Sequence, residues 1–293
     1  MTIKKNVMKM TAHKILSHSF LGVLLGISLV SCKDDDGING YAPTKPIGGY
    51  SSSKEIAPGA LVAKWSFDGS LVDSVNNLAG TATGTSFVTG RKGQALQGST
   101  TGQVVYPTPG AAITGLQSFT VALWINTQKH DGGAQAVFML PRTSDFWGNM
   151  FMLIEGNTSA SDSMLIKFNF GGQWAEFTNE NRFPGMYGGW KHVAFSYNAT
   201  TSKFSAYLNG VKRTLPASFT DRKNGTNPLG AITFTDVQKL VIGGYQQHLG
   251  APWSPADSWM LHYTGQLDEF RIFNKALTDA EINALYKLEF LGR

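Results

Sequence analysis

Cysteine occurs once in 293 residues, at Cys32, so no internal disulfide can hold the chain together. Charge is sparse, at 15% of residues, and the first 33 residues contain no Asp or Glu. The apolar run at 20–30 falls well short of the ~20 residues needed to span a bilayer. No repeat recurs at a fixed period, and no helical pattern is longer than one near the C-terminus. No Gly-x-Ser-x-Gly elbow, His-Glu-x-x-His helix, P-loop or Gly-x-Gly-x-x-Gly turn follows any strand-like segment. These absences exclude the commonest signatures of serine hydrolases, zinc peptidases and nucleotide-binding enzymes.

The N-terminus carries the basic charge. Lys4, Lys5, Lys9 and Lys14 precede the apolar run, and removing these four from a net charge of +5 leaves +1. The footprint of a nucleic-acid binder therefore disappears. Four lysines before a short apolar core read as a signal peptide over 1–31. The run ends in Leu29-Val30-Ser31-Cys32, which resembles the lipobox of bacterial lipoproteins and implies lipidation at Cys32. Several acyl chains there would give stable membrane anchoring. The following Lys33-Asp34-Asp35-Asp36 is similar to the acidic tag of surface-exported lipoproteins of Bacteroidetes-type bacteria, which implies an outer-membrane, cell-surface location. Residues 32–57 are rich in Gly, Pro, Ser and Asp, without apolar periodicity, and read as the lipidated cysteine and a flexible tether. The remaining 58–293 is a size that all-β domains commonly reach as one unit.

That unit is patterned as short alternating strands. Leu61, Ala63, Trp65 and Phe67 share one face, as do Phe119, Val121, Leu123 and Ile125. Asn209-Gly210 joins two such segments with the strongest short hairpin signal. At 265–273, Phe270 and Ile272 share a face with Asp268, opposite Glu269, Arg271 and Phe273. A carboxylate on a core-facing row needs a partner, whether a cation, a nest of backbone N–H groups or water. Thr278 and Glu281 then form a capping box, and Ile282, Leu285 and Tyr286 recur at helical spacing. Many short strands with turns between them predict an all-β, two-sheet antiparallel sandwich closed by a short C-terminal helix.

Five segments carry a family resemblance: Phe67-Asp68-Gly69 with Asp73 and Asn77, then 89–96, 118–125, 190–197, and 265–277 with its Asp268-Glu269-Phe270-Arg271-Ile272-Phe273-Asn274 core. In this order they resemble the laminin-G-like domains of the concanavalin A-like lectin/glucanase superfamily. The resemblance implies a jelly-roll sandwich in which the first and last strands pair. Asp68 and Asp268 would then approach each other, and with Asp73 they could hold a structural Ca²⁺, a cation that takes oxygen ligands. Equally, Asp73 and Asn76 could simply cap turns through their own backbone. Two stretches depart from the family's minimal pattern, a long connection between Gln128 and Gly189 and an insertion between Gly244 and Gly265.

Glucanases of this fold place two carboxylates on one strand face through Glu-x-Asp-x-x-Glu, which this chain lacks. Asp268 and Glu269 are adjacent, so they cannot form that pair on a regular strand. The domain is therefore expected not to be an enzyme. His192 reads as a structural histidine. Trp65, Trp124 and Trp190 fall on family strands and read as core, whereas Trp147, Trp174, Trp253 and Trp259 fall in the two departures. Aromatic faces stack on sugar rings while amides read hydroxyls, so Trp253, Trp259, Tyr245, Gln247, Trp147 and Trp174 are the candidate ligand-binding residues. Arg91-Lys92, Lys212-Arg213 and Arg222-Lys223 read as solvated turns rather than a nucleic-acid surface. The expectation is a surface-anchored, non-catalytic polysaccharide-binding lipoprotein. The alternatives are a protein-binding adhesin or accessory subunit of a surface complex, and a divergent glycoside hydrolase or lyase.

Overall fold

The computed structural model describes residues 45–107, 109–156 and 162–293. The expected signal peptide and Cys32 lie outside the described residues. The compact unit begins at Lys45.

Two eight-stranded sheets face each other across one apolar core. In the first, the central strand Gln266–Phe273 pairs on one edge with Phe119–Asn126, and beyond it run Lys191–Asn198, Lys203–Leu208 and Val211–Lys212. Its other edge is shared by Gln94–Gln97 at the start and Leu61–Trp65 at the end. Ser86–Thr89 completes that side. The pairing of first and last strands implied by the resemblance is thus present, with Trp65 opposite Phe270. Asn209 and Gly210 have φ of 50° and 73°, the left-handed pair that a tight hairpin requires.

The second sheet runs Gln173–Glu176, Ile166–Phe170, Met150–Glu155, Ala134–Leu140, Leu240–Ile242, Gln103–Tyr106 and Thr81–Thr83, with Met260–His262 parallel to Ala134–Leu140. The connection expected between Gln128 and Gly189 is therefore no loop. It supplies half of this sheet. Residues 134–140 and 150–154 are buried on both faces, so they carry continuous apolar runs and lack the alternation that marks a half-buried strand.

Inward rows interdigitate as the alternation predicts: Phe119, Val121, Leu123 and Ile125 all enter the core, and Trp65 packs 5.0 Å from Phe270 and 5.4 Å from Tyr106. Each such fully buried side chain contributes about 1.5–3 kcal/mol. Leu61 departs from its expected row because the register shifts between Leu61 and Ala63, and it packs on the opposite side of the sheet.

That opposite side is covered by the helix Asp279–Phe290, capped by the Thr278 and Glu281 reciprocal bonds at 3.2 and 2.7 Å. Ile282, Leu285 and Leu288 bury against Ala122, Ala194, Tyr207 and Phe273. Part of the expected tether joins them. Ile56 is buried in the same cluster, and Ser53 accepts from Arg271, so residues 45–57 belong to the domain rather than to a free linker. A short apolar contribution spread over Ile47, Tyr50 and Ile56 has no periodicity for a sequence reading to detect.

Candidate functional site

The outer face of the second sheet gathers aromatic rings from three separated segments. The turn Gly171-Gly172, with φ of 56° and 81°, folds Gln173–Glu176 back so that Trp174 sits opposite Asn169. Trp147 stacks on Phe151 at 5.3 Å and meets Trp174 edge-on at 4.9 Å. Trp259 lies 6.0 Å from Trp147, and Phe146 lies 5.0 Å from it. The Trp259 carbonyl accepts from Ala134 N at 2.8 Å, and a Cβ on Gly133 would lie 1.7 Å from that oxygen, so only glycine lets this segment seat. Trp147 and Trp174 are half-buried, while Phe146 and Trp259 are 43% and 36% exposed.

Tyr245 closes the underside of this cluster. Its ring is 5.8 Å from Trp259 but wholly buried, and its hydroxyl donates to the Ala134 carbonyl at 2.9 Å. Burial pushes its pKa up. Tyr245 therefore supports the aromatic surface and cannot itself stack on a ligand in this arrangement. Asn169, buried beside Phe151 and Trp174, has no hydrogen-bond partner for either amide atom among the described residues.

Beside Phe146 opens a cavity of about 340 Å³ whose wall includes Thr143, Asp145, Gln247, Pro252 and Trp253. Gln247 forms its floor, donating from Nε2 to the Phe146 carbonyl at 2.7 Å and leaving Oε1 unpartnered. Gln246 braces the same loop, accepting from Arg142 N at 3.0 Å and donating to Asp145 O and Phe146 O, both at 2.9 Å. Trp253 Nε1 donates to Arg142 O at 2.8 Å, which fixes the indole on the cavity's rim. The six predicted residues thus divide into Trp147, Trp174 and Trp259 at the surface, Tyr245 beneath, and Trp253 and Gln247 in the adjoining cavity. Phe146, Phe151, Asn169 and Gln246 join them without having been singled out. Phe151 was hidden inside a continuous apolar run, and Asn169 in a strand whose partner the sequence does not reveal.

Two carboxylates of the segments that carry the rings are ion-paired. Glu155 pairs with Lys167 at 2.6 Å, and Asp145 with Arg142 at 2.6 Å.

The three proposed metal-ligating acids lie elsewhere. Asp73 accepts from Lys64 N at 3.0 Å, Val75 N at 2.9 Å and Asn76 Nδ2 at 2.5 Å, capping its turn. Asp68 accepts from Gln94 N at 2.7 Å and Asp268 from Lys92 N at 2.8 Å, so these two meet on one turn, 90–94. Asp268 is not on the Phe270 row. Glu269 adopts φ of 46°, the register shifts between Asp268 and Arg271, and the bulge turns Asp268 to the Trp124 face. Burial raises its pKa to about 8, against the Lys92 N–H that favours the anion. Among the described residues no group of three or more His, Cys, Asp or Glu side chains could hold a metal ion. Asp268 Oδ1 is left without a hydrogen-bond partner among the described residues.

All three turn arginines are placed by packing rather than by solvent, Arg222 being 7% exposed with its guanidinium 4.9 Å over Phe204. Arg91 lies 4.3 Å over Phe290, and Arg213 lies 4.3 Å over Phe183 while donating to Asn181 O and Arg182 O at 2.8 and 2.9 Å. His192 is fully buried 5.4 Å from Trp124, and burial lowers its pKa to about 3, so it is neutral.

Among curated proteins none matches this chain. Solved structures share its fold. Domain 4 of an extracellular GH43 arabinanase from Geobacillus stearothermophilus, solved with arabinotriose, is 19% identical over 77% of this chain and 98% of that one, with a TM-score of 0.53. A botulinum neurotoxin type C structure, whose cell entry depends on two ganglioside molecules, is 14% identical over 80% of this chain and 53% of that one, at 0.56. A Trypanosoma rangeli sialidase with 2,3-difluorosialic acid is 13% identical over 84% and 35%, at 0.53. The chain thus spans nearly all of the first of these, but only about half and a third of the other two. A family profile matches residues 97–283, covering most of both sheets and the start of the closing helix. The chain belongs to the concanavalin A-like lectin/glucanases superfamily, in its laminin-G-type branch.

Proposed function

We propose that this domain is a non-catalytic glycan-binding module, held at the outer cell surface by lipid on Cys32, that retains polysaccharide on the outer face of its second sheet. The observation that carries this reading is the open aromatic surface of Trp147, Trp174, Trp259 and Phe146, with neighbouring ring centroids within 6.0 Å. Rigid indoles offer large flat apolar area at small entropic cost. Sugar rings present a matching apolar face, while their hydroxyls need polar partners. The adjoining cavity offers those through the exposed Ser144 and Ser254 on its wall.

The relatives add support of a coarser kind, since the arabinanase domain was solved with arabinotriose and the toxin engages gangliosides. The non-catalytic reading rests on the missing Glu-x-Asp-x-x-Glu strand and on the ion-paired state of Glu155 and Asp145.

Affinity electrophoresis in gels containing different polysaccharides tests the binding. At least one polysaccharide should retard the protein, and Trp174→Ala with Trp259→Ala should abolish that retardation while circular dichroism stays native. Undiminished retardation would sink the assignment of this face. Release of reducing ends from any bound polysaccharide would overturn the non-catalytic reading. Cys32→Ala protein should leave the membrane fraction.

A further inference from the structure

The rings of the open face are held at fixed and unequal tilts. Trp147 sits at the centre, with Trp174 at 87°, Phe146 at 83° and Trp259 at 49° to its plane. Fully buried Phe151 sets part of this geometry from the core side, lying 25° from Trp147 and 72° from Trp174 at 5.3 and 5.1 Å. Each indole also hangs on its own anchored backbone. Arg142 Nε donates to Trp147 O at 2.9 Å and Trp147 N to Asp145 Oδ1 at 3.0 Å, while Trp174 follows the Gly171-Gly172 turn and Trp259 is seated on Gly133. The tilts are therefore built into the fold before any ligand arrives.

The indole N–H groups set these rings apart from other tryptophans of the domain. Nε1 of Trp124 donates to Glu289 and that of Trp253 to Arg142 O, at 2.8 Å each, whereas among the described residues Nε1 of Trp147, Trp174 and Trp259 has no acceptor. Three donors thus lie beside three partly open apolar rings. Neighbouring centroids are 4.9 and 6.0 Å apart, about the length of one sugar residue. A chain crossing Trp174, Trp147 and Trp259 in turn therefore meets a differently oriented ring at each sugar-length step.

We propose that this tilted aromatic face selects single, soluble polysaccharide chains that turn from one sugar to the next, the class of amylose, laminarin and arabinan, over flat ribbons such as cellulose and glucomannan. A ribbon keeps its sugar faces in nearly parallel planes, so it can lie face-on against only one of these rings. Against a crystalline surface, which needs coplanar rings, the near-perpendicular ones stand in the way. A turning chain offers a newly oriented apolar face at each residue, and its hydroxyls can accept from the indole N–H groups. The inference rests on the glycan-binding reading and adds to it the shape of the chain that is bound.

Affinity gels of amylose, laminarin, arabinan, hydroxyethylcellulose and glucomannan, run with the full chain, supply the test, together with sedimentation on microcrystalline cellulose. One of the three turning polymers should bind wild type at least about tenfold more tightly than either ribbon polymer, and crystalline cellulose should leave the protein in the supernatant. Trp174→Ala and Trp259→Ala, made singly, should each weaken that binding about tenfold, because each ring meets a different part of the chain. Trp259 is 36% exposed, so its variant should keep a native circular dichroism spectrum. The trisaccharide of the bound polymer should compete at less than about a tenth of the concentration needed of its monosaccharide. Equal or tighter binding to a ribbon polymer, sedimentation with crystalline cellulose, loss in only one of the two variants, or equal competition by the monosaccharide would overturn the proposal and leave the glycan-binding reading standing. Retardation in none of these gels would overturn both.

Discussion

The two outer faces of this sandwich use the same residue types to opposite ends. On the first sheet Trp124 is buried: it stacks under Tyr286 at 5.5 Å, and its Nε1 donates to Glu289 at 2.8 Å. Around it Arg271 pairs with Glu269 at 2.6 Å and Glu289 at 2.8 Å, and Lys64 reaches Glu269 at 3.1 Å. On the second sheet Trp147, Trp174 and Trp259 have no helix above them among the described residues and stay partly open. A covered tryptophan next to a satisfied ion network is structural. An open one beside a cavity with unspent polar atoms is available to a ligand. Tryptophan content alone does not separate the two; what lies over each ring does.

The largest effect should come from breaking the covered face. Arg271→Met leaves Glu269 and Glu289 buried with less compensation, and denaturant unfolding should report a loss of about 3–5 kcal/mol. Binding to polysaccharide should be unchanged wherever the variant remains folded.

Next comes the pH response of that same face. The carboxyl of Asp268 has its folded pKa raised from 3.8 to about 8, chiefly by burial. A raised folded pKa means its contribution is fully present below about pH 4 and is lost as pH rises toward 8. Glu289, raised by burial to about 7, acts in the same sense. Stability measured from pH 4 to 8 should therefore fall with a larger slope in wild type than in Asp268→Asn, by a few kcal/mol at most across that window. A slope unchanged by the substitution would remove Asp268 from the account.

The open face should respond in binding rather than in stability. Trp174→Ala should weaken polysaccharide binding at least tenfold, about 1.4 kcal/mol, in isothermal titration. Its effect on the unfolding midpoint should be smaller than that of truncating Trp124, because Trp174 is only partly buried whereas Trp124 is 1% exposed. If the two tryptophans proved equally costly to stability and neither affected binding, the contrast between the faces would collapse.

Thr278→Ala should cost about 1 kcal/mol by removing the cap of the covering helix, measured as a shift in the denaturant midpoint. Smallest of all, a chelator should leave the melting temperature unchanged, since Asp68, Asp73 and Asp268 are bonded to backbone N–H groups as they stand. A chelator-dependent drop would show that these acids reorganise around an ion.

The sequence by itself determined the strands with one wet or differently packed face, the Asn209-Gly210 hairpin, the capped closing helix and the family. Those features are local: a period of two, a turn dipeptide or a capping box is written within a few residues. Tertiary structure alone decided three things. It made Ala134–Leu140, Met150–Glu155, Ile166–Phe170 and Gln173–Glu176 into strands rather than loop; the first two are buried on both faces and so lose the alternation that announces a strand. It turned Asp268 away from the core through the bulge at Glu269, which shifts the parity that a period-two reading must assume constant. It also sorted the tryptophans and arginines into covered and open, since a side chain's neighbours come from distant positions, 165 residues away for Trp124 and Glu289 and 199 for Arg91 and Phe290.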